Sequence, residues 1–275
     1  MRDISKVHNM ILIDTLAECI KTCYQSVFVK NEVPLSLLLL AETDHGKSQL
    51  ILNYCPHVEH LQVERLTDTS SMGLYKAVKD KSDPVMLVIP DFHAVISHRA
   101  SVTEGTLNAL MTLLQDGAMK VSVGPNEPIE LKGKRASLLT AMTPGMLLGR
   151  AGRWRRLGFL RRLVPVYYTY SEATAMKIHK SIKDGEYHRI LPSFKLPVTT
   201  PQIVQIPKPI DTEIERLAVT ISARLENRGF TVHKFFRVYC QARALLHGRN
   251  RVTDREFKEL EKFSQFVNLY TPEQI

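Results

Sequence analysis

The chain has 275 residues, 44% of them hydrophobic, enough for one large α/β domain or a core domain with a small satellite. Its net charge of +9 favours polyanionic partners, nucleic acid first, although a solvated surface accounts for it equally. The start, Met1 to Lys6, does not read as a signal peptide, and the most apolar run, Leu35 to Leu40, is far too short to cross a bilayer, so a cytoplasmic protein without a membrane span is expected.

Four cysteines, Cys19, Cys23, Cys55 and Cys240, include no CxxC pair, and reduced, mostly buried thiols are the expected state. His57/His60 and His93/His98 make no ligand set with a neighbouring cysteine and read as solvated or hydrogen-bonded side chains.

In chain order, Val7 to Val27 places Ile11, Leu12, Leu16, Ile20 and Cys23 on one helical face. Leu35–Leu40 reads as a strand buried on both faces, followed by a helix from Lys47 to about Cys55. Val58–Leu66 reads as a strand, and Asp68 to Ser71 can cap a helix reaching about Lys79. Val85–Ile89 is a further buried strand. Val102–Gln115 is a helix with Gly117 at its C-terminal cap. Met119–Val123 and Ile129–Lys132 form a hairpin turned at Gly124-Pro125-Asn126-Glu127. Ser137–Met142 and Leu163–Tyr170 are strands, and Tyr167, Tyr168 and Tyr170 on the latter are expected to pack in the core. Ser171 caps a helix over Glu172–Lys183. Five prolines between Tyr187 and Asp211 mark an extended linker, and helices follow over Glu213–Asn227, Val232–His247 and Asp254–Asn268. Alternating strands and helices followed by helices alone predict a parallel α/β domain with a helical appendage.

The segment Ala41-Glu42-Thr43-Asp44-His45-Gly46-Lys47-Ser48-Gln49 joins the first buried strand to its helix. It fits G-x-x-x-x-G-K-[ST] except at its first position, where alanine replaces glycine. Such a loop offers inward N–H groups and a positive helix end to a triphosphate, while Lys47 reaches the β and γ phosphates and Ser48 ligates Mg²⁺. Alanine is tolerable at position 41 if its φ stays strand-like. Asp44 is unusual there, since a carboxylate repels phosphate unless it points away. The strand Val85–Ile89 runs into Pro90 and Asp91. Strand ends gather at one edge of a parallel sheet, which makes Asp91 the second metal-holding residue; a turn or cap aspartate is the alternative.

From Pro34 onward these ordered features resemble the AAA+ ATPases, most closely the hairpin-bearing branch with MoxR-type proteins and minichromosome-maintenance helicases. The resemblance rests on the loop, on Leu107–Gly117 as the helix after Walker B, on the hairpin Val121–Ile129, and on Ser137–Pro144 as the strand ending in a polar sensor. It implies a P-loop NTPase fold with helices on both faces of a parallel sheet and a C-terminal all-helical lid. The parts would be an N-terminal helix over 1–32, an ATPase core over 33–190, a Pro-rich linker over 191–211 and the lid over 212–275. It also implies that ATP and Mg²⁺ bind at the interfaces of a homo-oligomeric, hexameric ring. By the same resemblance Thr143 is the sensor, with Thr140 as fallback. Gly158-Phe159-Leu160-Arg161-Arg162-Leu163 implies Arg162 as the arginine finger that reaches a neighbouring subunit, with Arg161 beside it. Arg237 is the second sensor, with Arg243 as alternative. DNA is the partner favoured by charge; a protein partner is also compatible.

One departure stands out. Family members that hydrolyse ATP carry Asp-Glu at the end of the Walker B strand, and this chain has Pro90-Asp91-Phe92-His93. Either the magnesium aspartate is Asp91 and the glutamate is missing, or Asp91 stands in the position of the base. Glu104 and His93 are the candidate substitutes, and an ATP-binding switch with little hydrolysis is the alternative to a motor.

Overall fold

The structure, a computed structural model, describes residues 14–54, 58–59, 61–121, 128–185, 194–223 and 229–267. The helix α1 (Asp14–Ser26) precedes β1 (Leu37–Leu40) and α2 (Lys47–Tyr54). The expected strand over Val58–Leu66 is two short ones, β2 (Val58–Glu59) and β3 (Gln62–Arg65), that join different ladders. Next come α3 (Ser71–Val78), β4 (Val85–Ile89), the single turn α4 (His93–Ile96) and α5 (Ala100–Asp116). β5 (Met119–Val121) and β6 (Ile129–Leu131) form the expected antiparallel hairpin, whose turn lies outside the described residues. β7 (Ala136–Met142) is followed by α6 (Pro144–Leu157), a 3₁₀ turn (Phe159–Arg162) and β8 (Val164–Tyr167). The C-terminal part holds α7 (Glu172–Lys183), β9 (Phe194–Lys195), α8 (Lys208–Ala223), α9 (Phe230–Leu246) and α10 (Asp254–Ser264).

The central sheet has five parallel strands in the order β3-β4-β7-β1-β8. Alternation of side chains divides its core into two layers. Leu37, Leu39, Val88 and Leu139 face one layer, where α1, α9 and α10 contribute Tyr24, Phe236, Tyr239 and Leu260, joined by Phe28 just past α1. Leu38, Leu40, Leu87 and Leu138 face the other, against α3, α5 and α6. All four leucines of β1 are buried, which is why its sequence shows no alternation of its own. Each such side chain contributes roughly 1.5–3 kcal/mol by leaving water.

The C-terminal helices do not sit apart from the sheet. Their buried residues belong to the same cluster as β1, and α9 packs along α1. Arg243 of α9 clamps the two elements by donating to Glu18 of α1 and Glu259 of α10, both at 2.7 Å. Past α10, Phe266 accepts from the amide of Tyr167 and Val267 bridges Val166, so the tail covers the open edge of β8.

Two boundaries differ from expectation for local reasons. α8 starts at Lys208, within the stretch read as linker, because Pro209 falls in its first turn, where a missing N–H costs nothing. β8 ends at Tyr167 because the chain then turns toward the loop that follows β1. No helix among the described residues is long and apolar enough to cross a membrane.

Candidate functional site

β1 and β4 run parallel with β7 between them, so their C-terminal ends open on one edge of the sheet. A cavity of about 370 Å³ lies there, within the usual range for small-ligand sites. Thr43, Asp44, Gly46, Lys47, Ser48 and Gln49 line it from the loop, Asp91 and His93 from the end of β4, and Thr143 from the end of β7. Residues 42 sequence positions and more apart, from Gln49 to Asp91 and beyond, thus meet in one place because three strands end together.

The loop has the backbone of an anion cradle. Asp44 and Gly46 have φ of +64° and +68°, with His45 between them outside that region. Such alternation turns successive N–H groups to one side. At Gly46 a Cβ would find 3.8 Å of room to the hydroxyl of Tyr170, so the left-handed φ, and not crowding, is what asks for glycine. Aspartate is among the few side chains that tolerate the same region, which accounts for Asp44. Ala41 is buried and is not among the positive-φ residues, so alanine meets the condition placed on it. The amide of Leu50 donates to the carbonyl of Gly46 at 2.8 Å, starting α2; the preceding amides are those a helix leaves without internal partners.

Three tyrosine-region contacts hold the loop from the side. Tyr168 donates its hydroxyl to the carbonyl of His45 at 2.9 Å. The His45 ring stacks on Tyr170, with centroids 5.3 Å apart and planes 3° from parallel, and reaches Thr169 Oγ1 at 3.4 Å. Sequence reading placed these tyrosines in the core. Tyr168 is indeed buried, and burial raises its phenol well above the ordinary range, but its hydroxyl serves the loop. An alternating Tyr-x-Tyr at the end of the strand beside β1 was the available signal.

Lys47 donates to the carbonyl of Glu42 at 2.6 Å and so curls over its own loop. Partial burial lowers its pKa, against the pull of Glu42, Asp91 and Asp44, which raise it. One ammonium thus stands among three carboxylates. Ser48 donates to the carbonyl of Pro90, the residue before Asp91, at 3.2 Å. Asp91 accepts from the amide of His93 at 2.9 Å, which fixes one carboxylate oxygen and leaves the other.

The two threonines of β7 divide. Thr140 is buried and donates to the carbonyl of Ile89 at 2.8 Å, a bond internal to the sheet. Thr143 lines the cavity at the start of α6 and makes no capping bond with its side chain.

The position after Asp91 points away from the cavity. Phe92 is fully buried, with its ring 5.6 Å from Phe159 and 5.8 Å from Trp154. A carboxylate at that position would have to sit in this aromatic cluster. Of the candidate substitutes, Glu104 is paired with Arg153 and does not line the cavity, whereas His93 does, with Nε2 3.1 Å from Ser97 Oγ.

The remaining expected residues lie elsewhere. Arg162 stands just before β8, at the strand-start edge opposite the loop. It is not extended: Nη1 donates to the carbonyl of Gly158 at 2.6 Å and Nε is buried. Gly158 permits that fold-back, since a Cβ there would come within 2.6 Å of the guanidinium. Arg161, beside it, is exposed. Arg237 also lies away from the loop. It pairs with Asp211 and lines a cavity with Arg161 and Arg162, not the cavity of the loop. Arg243, its alternative, is spent on Glu18 and Glu259.

Cys19, Cys23 and Cys240 are buried free thiols, and burial pushes Cys23 up to about 12. Among the described residues no group of three or more His, Cys, Asp and Glu side chains is arranged so that it could hold a metal ion by itself. Compared with protein-family models and with curated proteins, the chain matches none.

Proposed function

We propose that the chain is an ATPase of the AAA+ type, binding ATP with Mg²⁺ in the cavity at the ends of β1, β4 and β7. The observation that carries this reading is the meeting of Lys47, Ser48, Asp91 and Thr143 around one cavity, under a loop with left-handed residues at 44 and 46. The donor set suits the ion. Ser48 Oγ and the Asp91 carboxylate are hard oxygen ligands of the kind Mg²⁺ shares with phosphates, and the carboxylates around Lys47 leave a surplus of negative charge. Bound there, the ion would neutralise charge on the phosphoryl oxygens. The chain's own groups do the rest: loop amides and Lys47 hold the phosphates, and Thr143 positions the γ-phosphate or the attacking water.

In this reading the working form is a homo-oligomeric, hexameric ring in which an arginine of one copy approaches the nucleotide of the next. Arg161 is the member of the pair placed to extend. The basic surface makes DNA the expected polymer partner, with a protein partner possible in its place. Phosphate release by purified protein, with and without single- and double-stranded DNA and with oligomer size measured in parallel, tests the reading. Turnover that vanishes in Lys47→Ala supports it; turnover equal in the two proteins rejects it.

One observation favours a second reading, an ATP-binding switch that scarcely hydrolyses. The buried ring of Phe92 removes the position from which a glutamate would orient water. ATP·Mg binding without phosphate release, under any of the DNA conditions, would select the switch.

A further inference from the structure

On the edge of the sheet remote from the loop lies a larger cavity, of about 640 Å³. Its walls come from the segment before β1, the C-terminal end of α5, the 3₁₀ turn before β8 and the first turns of α9. All four belong to one chain. The lining combines apolar surface, including Phe235 and Val238, with the cations Arg161, Arg162, Lys234 and Arg237, against the single lining carboxylate of Glu32. An apolar cavity with a few convergent charged groups is the form of a small-molecule site.

Two of the cations are held in place. Arg162 is anchored through Nη1 on the carbonyl of Gly158, and its Nε is buried without a partner. Arg237 is anchored through Nη1 on Asp211. Each anchored guanidinium keeps further N–H groups. Planar guanidinium groups with fixed stems recognise phosphoryl or carboxylate oxygens at low entropic cost. A buried N–H without an acceptor is a standing cost that a ligand oxygen would remove.

We propose that this cavity is a second anion site, which binds a phosphate-bearing organic molecule of nucleotide size. Arg162, Arg237 and Lys234 hold the phosphate, and the apolar wall around Phe235 takes the rest of the molecule. The site is complete within one chain and does not depend on the nucleotide reading of the loop.

The test uses full-length Lys47→Ala protein, in which the loop is disabled, and titrates it calorimetrically with inorganic tripolyphosphate and with ADP. One-to-one binding is expected, weakened at least tenfold by adding Lys234→Glu and likewise by adding Arg162→Gln. Lys234 is exposed, so its variant should fold even if the arginine variant does not. Absence of binding to Lys47→Ala protein, or binding indifferent to Lys234→Glu, overturns the proposal. So does binding seen only in oligomers with an intact loop, which would assign the arginines to the nucleotide of a second copy. Failure of the loop reading shows separately, as wild-type and Lys47→Ala proteins binding ATP·Mg with the same affinity and stoichiometry.

Discussion

The Ser48 hydroxyl lies 3.2 Å from the carbonyl of Pro90 and donates to it, although 42 positions separate the two residues. This bond ties the loop after β1 to the end of β4, and Ser48 and Asp91 line the same cavity. If that pair holds Mg²⁺, ATP binding requires the ion. ATP·Mg at a hundredfold excess over Kd should stabilise the protein by about 2.7 kcal/mol. In calorimetric or fluorescence melts, the gain should disappear with EDTA, with Lys47→Ala and largely with Asp91→Asn. A full gain in EDTA would remove the metal from the reading.

Thr140 and Thr143 allow a paired experiment. Thr140 is committed to Ile89 inside the sheet, so Thr140→Val should cost stability, about 1–3 kcal/mol, with turnover per folded molecule retained. Thr143→Val should leave the melting temperature nearly unchanged and lower kcat by roughly 10²-fold, the size of effect seen when one positioned donor is removed from a transition state. Equal turnover in Thr143→Val and wild type would release that residue from the site.

The contact between Tyr168 and His45 predicts a binding defect caused at a distance from any phosphate. Tyr168→Phe leaves the carbonyl of His45 without its donor and the loop less well held. ATP affinity should fall roughly 5–10-fold, corresponding to about 1 kcal/mol, by isothermal titration. Unchanged affinity would mean that the loop keeps its shape without the tyrosine.

Much of this was legible in the sequence, and the illegible parts share a cause. The boundaries of β4 follow from Val85–Ile89 being apolar throughout, and the loop was visible because its chemistry is local, from Ala41 to Gln49. The meeting of Asp91 with Ser48 followed from parallel strands ending at one edge. Side-chain direction was not legible. Arg162 and Arg237 were matched by sequence position, yet one folds back on Gly158 and the other pairs with Asp211, and both choices depend on partners distant in space or on a backbone turn. α6 was missed as an element because its arginines and three glycines obscure a narrow apolar stripe of Leu147, Ala151 and Trp154; Pro144 at its start was a further marker. Phe92 could be read as a missing glutamate, but only packing shows that its position faces Trp154 and Phe159.

The arginine pair bears on assembly. Arg161 is exposed while Arg162 is folded inward, so Arg161→Ala should lower turnover of the assembled protein and leave ATP binding intact. Arginines that act on a neighbour's phosphate contribute on the order of 10³–10⁵ in rate. Mixing Arg161→Ala with Lys47→Ala protein should restore part of the activity, because each supplies what the other lacks. No recovery on mixing, with oligomers verified by light scattering, would mean that no arginine acts across copies.

Two carboxylates at the junction between α1, α9 and α10 make stability depend on pH. Glu18 accepts from Lys21 and Arg243, while Glu256 accepts from Thr253 and faces His247 and Arg249. Burial acts to raise both carboxyl groups, but these hydrogen bonds and charges outweigh it, and each pKa ends below the ordinary 4.5. A carboxylate whose pKa is lower folded than unfolded binds protons more readily in the unfolded chain, so its contribution is present above 4.5 and is lost as pH falls through the folded value. Stability measured by urea melts should therefore be level above pH 5 with respect to these groups and decline below 4.5. Glu256→Gln keeps the shape of the side chain and removes the charge facing Arg249, so its stability should be lower at pH 7 and its acid decline shallower. A variant that declines as steeply as wild type would show that other carboxylates set the acid limit.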